Sequence, residues 1–455
     1  MKLRQFFGAA KRVAQRLWHS VTLPHTLLNA MFVLYVWSLV RNGRRFIGYE
    51  HARFGHNGWG MSDFLINYQG GFVRRGLFGE VLLFFAQRYS FHRGSFIWWT
   101  CMVCFIATCL FFLVAFLRRR YSLYILPLCF FLGMGVLGNA VIRKDYFMMC
   151  GFIPVMWVYA RQSVPTVLKY ALVNVLLVCT ILTHEAIAFF GLPILLLLVF
   201  RHHRKSEVLA SAVMAALALA PSLVAFAATL KYHGSREITH AIWDAWLPLI
   251  AHESPYSLPV GDTVKSLAWS TAFAVPRHLR FNFFVIDGNI SSLVVWMFTF
   301  PAIYYIASHF LYAFRKSDEQ FTYRHKTVLS AVVLLQWLCL VPMFLVLSND
   351  YIRVCFYWVA SSYAIFLLVP LDTLEAAFPR FYIAVVESVN RVFVRVLIPT
   401  KATLALMILF IGVSPWTFNI GSYYSTTVIY QALQQLTEWL KPLIENVPLP
   451  QLSPL

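Results

Sequence analysis

Apolar residues in this chain run in long blocks closed off by short polar clusters, with little of the alternation that marks strands. Blocks of roughly 17–25 apolar residues suit helices that cross a bilayer. They predict about eleven spans, at 24–40, 95–117, 121–140, 146–160, 165–182, 186–200, 207–229, 291–314, 327–347, 354–370 and 402–418. The expected fold class is therefore an all-α polytopic membrane protein. No repeat, heptad or low-complexity tract interrupts the pattern, so one polytopic domain, 1–418, is expected, with outer segments at 41–93 and 230–290. A tail, 419–455, follows, and its stretch 425–446 has helical apolar spacing that predicts an amphipathic helix on the outer surface.

One segment decides the orientation. If 77–92 spans, Arg118, Arg119 and Arg120 fall outside. If it lies in the interface plane as an amphipathic helix, they fall inside with Arg201, Arg204, Lys205, Arg315, Lys316, Arg324 and Lys326. Positive charge is retained on the cytoplasmic side, which selects the in-plane helix. Residues 1–20, with Lys2, Arg4, Lys11, Arg12 and Arg16, then read as the cytoplasmic flank of a signal anchor.

Composition agrees with the blocks: only 13% of the 455 residues are charged, 60% are hydrophobic, and the mean hydropathy is +0.66. A soluble domain carries about 25% charged residues. The formal charge of +19 would ordinarily suggest nucleic acid. Under the chosen orientation, however, 21 basic and 6 acidic residues lie inside against 17 and 13 outside. The excess is thus mostly orientation, and no nucleic acid is expected. One outer stretch departs from the rule: 41–93 holds eight arginines and no lysine. The cysteines sit almost entirely in apolar runs, where a thiol behaves as a small hydrophobe, and the pair Cys101 and Cys104 lacks a second pair or nearby histidines. Neither a metal site nor a disulfide is expected from them.

The same orientation gathers the polar residues that interrupt the apolar blocks onto the outer face. The run 67–80, NYQGGFVRRGLFGE, places Tyr68, Gln69, a Gly-Gly turn and the adjacent Arg74 and Arg75 together. Paired guanidinium groups beside a flexible turn suit a phosphate or diphosphate, and they also suit anchoring to lipid headgroups. Asp63 precedes the run, either as a cap or as a general base on an acceptor hydroxyl. His184 and Glu185 lie between two apolar blocks, where ionisable groups are costly; they could orient sugar hydroxyls or serve acid–base chemistry, or simply pair at a helix end. Position 188 is Ala, so no zinc HExxH motif forms. Arg143, Lys144 and Asp145, and Asn349, Asp350 and Arg353, each put cation and anion at a helix junction, as an anionic ligand or an interhelical salt bridge would. Loop 230–290 adds Arg277 and Arg280 as phosphate contacts, with Trp243, Trp246 and Trp269 read as an interfacial belt. No Walker A, GxGxxG or GxSxG motif is present.

An N-in polytopic chain with an acid in its first outer loop, Asp63, and an in-plane helix before the second span resembles the GT-C class of membrane glycosyltransferases. Arg143-Lys144-Asp145 and the span opening with His184-Glu185 also resemble bacterial proteins of surface-polysaccharide assembly, including polymerases of lipid-diphosphate-linked repeat units. The resemblance covers roughly residues 20–370. It implies glycosyl transfer on the periplasmic face of a bacterial inner membrane, with a polyprenyl-(di)phosphate-linked sugar as donor and other polysaccharide-assembly proteins as partners. It implies Asp63 as base and no cofactor beyond at most a divalent cation; the paired-arginine reading then puts Arg74 and Arg75, with Arg143 or Arg353, at the lipid (di)phosphate. The second acid of many GT-C loops is missing here. A repeat-unit polymerase and a lipid-linked glycan flippase or transporter are the alternatives.

Overall fold

The computed structural model describes residues 22–47, 58–137, 141–203, 207–253, 263–280, 286–287, 290–314, 323–348 and 350–411, with isolated positions at 435, 438, 439 and 442. The basic N-terminal flank, Asn349, most of the C-terminal tail and the end of the predicted span 402–418 lie outside the described residues. Among the described residues the regular secondary structure is helical, apart from a two-residue antiparallel pair, β1 (Ile286–Asp287) with β2 (Ile290–Ser291).

The helices run α1 (Thr22–Ile47), α2 (Gly58–Asp63), α3 (Gly76–Ala86), α4 (Arg93–Arg118), α5 (Met134–Leu137), α6 (Asp145–Ala160), α7 (Thr166–Thr183), α8 (Ala186–His203), α9 (Val208–Ala218), α10 (Ala220–Lys231), α11 (Arg236–Ile250), α12 (Thr263–Ser266) and α13 (Thr271–Leu279). After the strand pair come α14 (Ser292–Ala313), α15 (Tyr323–Pro342), α16 (Tyr351–Leu368), α17 (Leu371–Ala377), α18 (Arg380–Val396) and α19 (Lys401–Ile411). Among the described residues, four helices are long and apolar enough to cross a membrane, or up to six if each of two bent pairs counts as one span. The four are α4, α7, α15 with its π-helical extension to Leu347, and α16. Other predicted spans are present as shorter apolar helices, such as α6 and α8, which carry Pro154 and Pro193.

Two predicted spans take a different form. Residues 121–133 are turns rather than helix, followed only by the short α5. Pro127, Gly133 and Gly135 punctuate the stretch, and a Cβ on Gly133 would come within 2.1 Å of the Pro127 carbonyl. Irregular backbone at membrane depth is tolerable where protein surrounds it. Here Ile125 and Leu128 through Met134 are buried, and the Tyr146 hydroxyl accepts from Gly135 N–H at 2.8 Å while donating to Leu132 O at 3.2 Å. The predicted span 207–229 is α9 and α10, bent by 71° at Leu219. Asn174 of α7 satisfies the backbone opened by the bend, donating to Ala218 O at 2.8 Å and accepting from Ser222 Oγ at 2.7 Å.

Where a helix is expected at 77–92 stands α3, eleven residues or about 16 Å, shorter than a hydrocarbon core of about 30 Å. It belongs to a second hydrophobic core distinct from the main helical one. This core joins segments 41–93 and 230–290: Phe64, Leu65, Ile66, Val73, Leu82 and Leu83 pack with Ile242, Trp243, Trp246 and Ile250. Trp246 is fully buried and donates to Leu65 O at 2.7 Å. Trp243 is buried as well, so these two tryptophans are core side chains and not an interfacial belt.

Candidate functional site

Four helices of different sequence origin begin at one place. Arg75 immediately precedes α3, Lys144 precedes α6, Glu185 precedes α8 and Asp350 precedes α16. A helix start carries backbone N–H groups that lack an intrahelical acceptor and the positive end of a helix dipole. Side chains of both signs interlock over these ends. Arg75 grips Glu185 with Nε at 2.8 Å from Oε2 and Nη2 at 2.6 Å from Oε1, and its Nη1 lies 3.6 Å from Asp63. Lys144 Nζ stands 3.8 Å from the same Asp63 oxygen and donates to Arg75 O at 3.2 Å. Arg353 spans Asp145, 2.9 Å from Oδ2, and Asp350, 3.0 Å from Oδ2. The Tyr357 hydroxyl closes the far side by donating to Asp145.

The local backbone is shaped for this. Arg75 adopts φ 69°, a left-handed conformation rare for a residue with a Cβ. That kink turns the chain into α3 and is held by the Lys144 bond to its carbonyl. The close approach of α3 to the preceding loop needs Gly79, where a Cβ would fall 2.0 Å from Ile66 O.

Five cations, Arg74, Arg75, Arg143, Lys144 and Arg353, thus face four carboxylates, Asp63, Asp145, Glu185 and Asp350. Burial pushes the Asp63 carboxyl up, but Lys144 and Arg75 outweigh it and hold the group at about 2. Burial pulls Lys144 down to about 8, against the support of Asp63. His184 is also pulled down by burial, and then by Arg75, to about 3, so the ring is neutral and its Nδ1 accepts from Ala186 N–H at 3.2 Å. At neutral pH the set carries one net positive charge.

Among the described residues, three of the five cations have no carboxylate within hydrogen-bond distance: Arg74, Arg143, and Lys144, which stands 3.8 Å from Asp63. Arg74 approaches Glu185 only to 3.7 Å, its buried Nε has no hydrogen-bond partner, and its side chain is 30% exposed, against 0% for Lys144 and 15% for Arg353. Arg143 feels Asp350, Asp145 and Asp63 through the field alone, and among the described residues its guanidinium forms no ion pair. The Asp63 oxygen nearest the cations likewise has no hydrogen-bond donor.

The sequence-derived candidates divide cleanly. Asp63, Arg74, Arg75, Arg143, Lys144, Asp145, His184, Glu185, Asp350 and Arg353 come together. Tyr68 and Gln69 do not: Tyr68 N–H and the Gln69 amide donate to Glu80 at 2.9 Å each, clasping the loop to α3. The Gly-Gly turn beside them serves protein packing, since a Cβ on Gly70 would meet Ile238 Cα at 2.8 Å and Gly71 takes φ 109°. On α13, Arg277 packs over the Trp269 ring at 5.2 Å from its centroid, and Arg280 is exposed at the helix end. A second buried ionic joint escapes sequence reading. Glu253 accepts from Arg93 N–H at 3.0 Å, Gly94 N–H at 3.1 Å and Arg93 Nη1 at 3.2 Å, pinning the end of the 230–253 stretch to the start of α4.

A model of the family described as "Uncharacterised membrane protein Rv1490" matches residues 36–268, just over half of the chain. The matched stretch includes Asp63, Arg74, Arg75, Arg143 to Asp145 and His184-Glu185, and stops short of Asp350 and Arg353. No curated protein and no solved structure matches the chain.

Proposed function

The chain belongs to this family of membrane proteins, Rv1490, and we propose that it is a glycosyltransferase whose outer-face site takes a polyprenyl-(di)phosphate-linked sugar in surface polysaccharide or glycolipid assembly. The observation that carries the reading is the meeting of four helix N-termini with a net positive side-chain set in which Arg74 keeps a buried Nε without a hydrogen bond and Arg143 forms no ion pair among the described residues. Helix starts and arginines are the two devices proteins use for phosphate, and here they coincide. The donor phosphate would lie against Arg74 and Arg143, with Lys144 between them.

In the transfer step an acceptor hydroxyl attacks the anomeric carbon, the bond from that carbon to the phosphate oxygen breaks, and the lipid phosphate leaves carrying the electron pair. The cations stabilise the charge that develops on it. Asp63 would accept the hydroxyl proton. A carboxylate held at about 2 is a weak base, so the reading requires the donor phosphate to draw Arg75 and Lys144 away from it. His184, neutral, and Glu185 would orient sugar hydroxyls.

The test is reconstitution of the purified chain in vesicles with a radiolabelled polyprenyl-phosphate-linked and a polyprenyl-diphosphate-linked sugar. Transfer of one sugar supports the reading. A product ladder replaces it with a polymerase, and movement of the donor between leaflets without bond formation replaces it with a flippase. Inertness toward both donors, with retained binding of neither, overturns it.

A further inference from the structure

The face opposite the ionic site carries an element that the site does not use. Helix α16 starts at the site and, at 18 residues, extends about 27 Å away from it. At its far end Arg119 donates to Leu367 O, and beyond it Arg201 bonds Ala376 O. Helix α18 follows, and its axis meets that of α19 at 88°. Beyond Lys401 and Thr403 in its first turn, helix α19 is apolar, and it packs alongside α1 and α14. If α19 runs with the bundle, α18 lies across it.

The side chains of α18 sort into three arcs at about 100° per residue. Taking Arg380 as zero, the buried Val386 and Asn390 fall near 240° and 280°. Asn390 accepts from the Tyr304 hydroxyl at 3.0 Å, and the Tyr382 hydroxyl reaches Ala331 O at 2.9 Å, so this arc is fastened to α14 and α15. Phe381, Val392, Val385 and Val396 fall between about 100° and 160° and are 73%, 60%, 50% and 80% exposed. Arg380, Arg391 and Arg395 fall between about 0° and 60° and are exposed. An apolar stripe beside a guanidinium stripe, on a helix perpendicular to the apolar α19, has the form of a helix lying at the boundary of acyl chains and headgroups.

We propose that α18 lies in the bilayer plane on the face opposite the ionic site, seats its apolar stripe among acyl chains, and binds anionic phospholipid headgroups through Arg380, Arg391 and Arg395. The charge complementarity selects anionic over zwitterionic lipid, because each basic side chain near an anionic surface contributes about 1 kcal/mol, or about fivefold in affinity. The inference does not depend on the glycosyltransferase reading.

The full chain in nanodiscs of mixed phosphatidylglycerol and phosphatidylcholine tests it, with lipid retained after detergent extraction measured by native mass spectrometry. The wild type should retain phosphatidylglycerol preferentially, and the triple variant R380Q/R391Q/R395Q should lose most of that preference while keeping its thermal midpoint, since all three side chains are exposed. Equal retention of the two lipids by the wild type, or an unchanged preference in the variant, overturns the proposal. A dimer in the nanodisc-free state that Phe381→Glu dissolves also overturns it, because the stripe would then face a second copy of the chain.

Discussion

Replacing Arg353 by Met should strand the most deeply buried acid of the site. Arg353 Nε sits 3.0 and 2.9 Å from the two Asp145 oxygens, and Nη1 sits 3.0 Å from Asp350. Asp145 is fully buried, whereas the Asp350 side chain is 27% exposed and can recover water. Methionine fills the space but leaves Asp145 with the Tyr357 hydroxyl and the distant field of Arg143. Removing one partner of a buried pair costs about 3–5 kcal/mol, mostly the penalty of the orphaned charge. A domain of 150–250 residues loses about 2–4 °C per kcal/mol, and a longer chain less, so a fall of about 4–8 °C in the thermal midpoint is expected. Tryptophan fluorescence of the nanodisc-embedded chain reads it. The second arm is Arg353→Met combined with Asp145→Asn, which removes the stranded charge and keeps an acceptor for Tyr357. The double variant should be more stable than the two single losses added together, by about 1–3 kcal/mol. A midpoint that stays within about 1 °C of wild type in Arg353→Met, or strict additivity of the two losses, would refute the reasoning.

Phosphate affinity at the site should fall above pH 8. Burial lowers Lys144 to about 8 and binding of an anion favours its protonated form, so affinity is full below that value and declines by up to about tenfold per pH unit above it. A pyrophosphate titration on the reconstituted chain reads this, and Lys144→Gln should flatten the profile. Asp63→Asn should abolish transfer with membrane abundance retained, because Lys144 can shed its proton when its carboxylate is lost; full transfer in that variant removes the base assignment. Gly79→Ala should push α3 off the Ile66 carbonyl and cost about 1–3 kcal/mol, seen as a lower yield of monodisperse protein in size-exclusion chromatography. Glu253→Gln keeps only one acceptor oxygen for the three donors at the start of α4 and should cost about 1.5–3 kcal/mol, read as a drop in thermal midpoint.

The ionic site was legible because its charged residues interrupt apolar blocks at helix junctions. With the arginine triplet at 118–120 assigned to the inner side, the clusters around Asp63, Arg143, His184 and Asp350 are expected on one face, and these are the clusters that meet, whereas Arg277 and Arg280, assigned to the same face, do not join them. Partner choice was not legible. Which carboxylate meets Arg75 depends on the packing of α3 against α7, and nothing in the one-dimensional pattern distinguishes Glu185 from Asp145. The turn-rich stretch at 121–137 reads as a helix by hydropathy because burial inside protein and burial in lipid select the same residues. Only Pro127, Gly133 and Gly135 hinted otherwise. Trp246 was misread for the complementary reason: an outer tryptophan suits a membrane belt and a small soluble-type core equally well. Helix α18 went unread because its arginines break the apolar count that identifies spans.

The near balance of charge in the site has a mechanistic cost that follows from its burial. Five cations could not be held at the ends of four helices without counter-charge, since both the dipoles and the mutual repulsion oppose them. The carboxylates make the unliganded site stable, and Glu185 does so by occupying Arg75 with the same two-point geometry a phosphate would use. A phosphate arriving at Arg74 therefore meets a charge-neutralised neighbour and gains fully only if Arg75 lets go of Glu185. Exchange of one anion for another keeps the local charge nearly constant, so it avoids exposing a bare guanidinium at any stage. Glu185→Gln should on this argument raise the affinity for pyrophosphate while lowering thermal stability, two effects of opposite sign from one substitution. A variant that lost both stability and pyrophosphate affinity would show that Glu185 builds the anion site rather than competing for it.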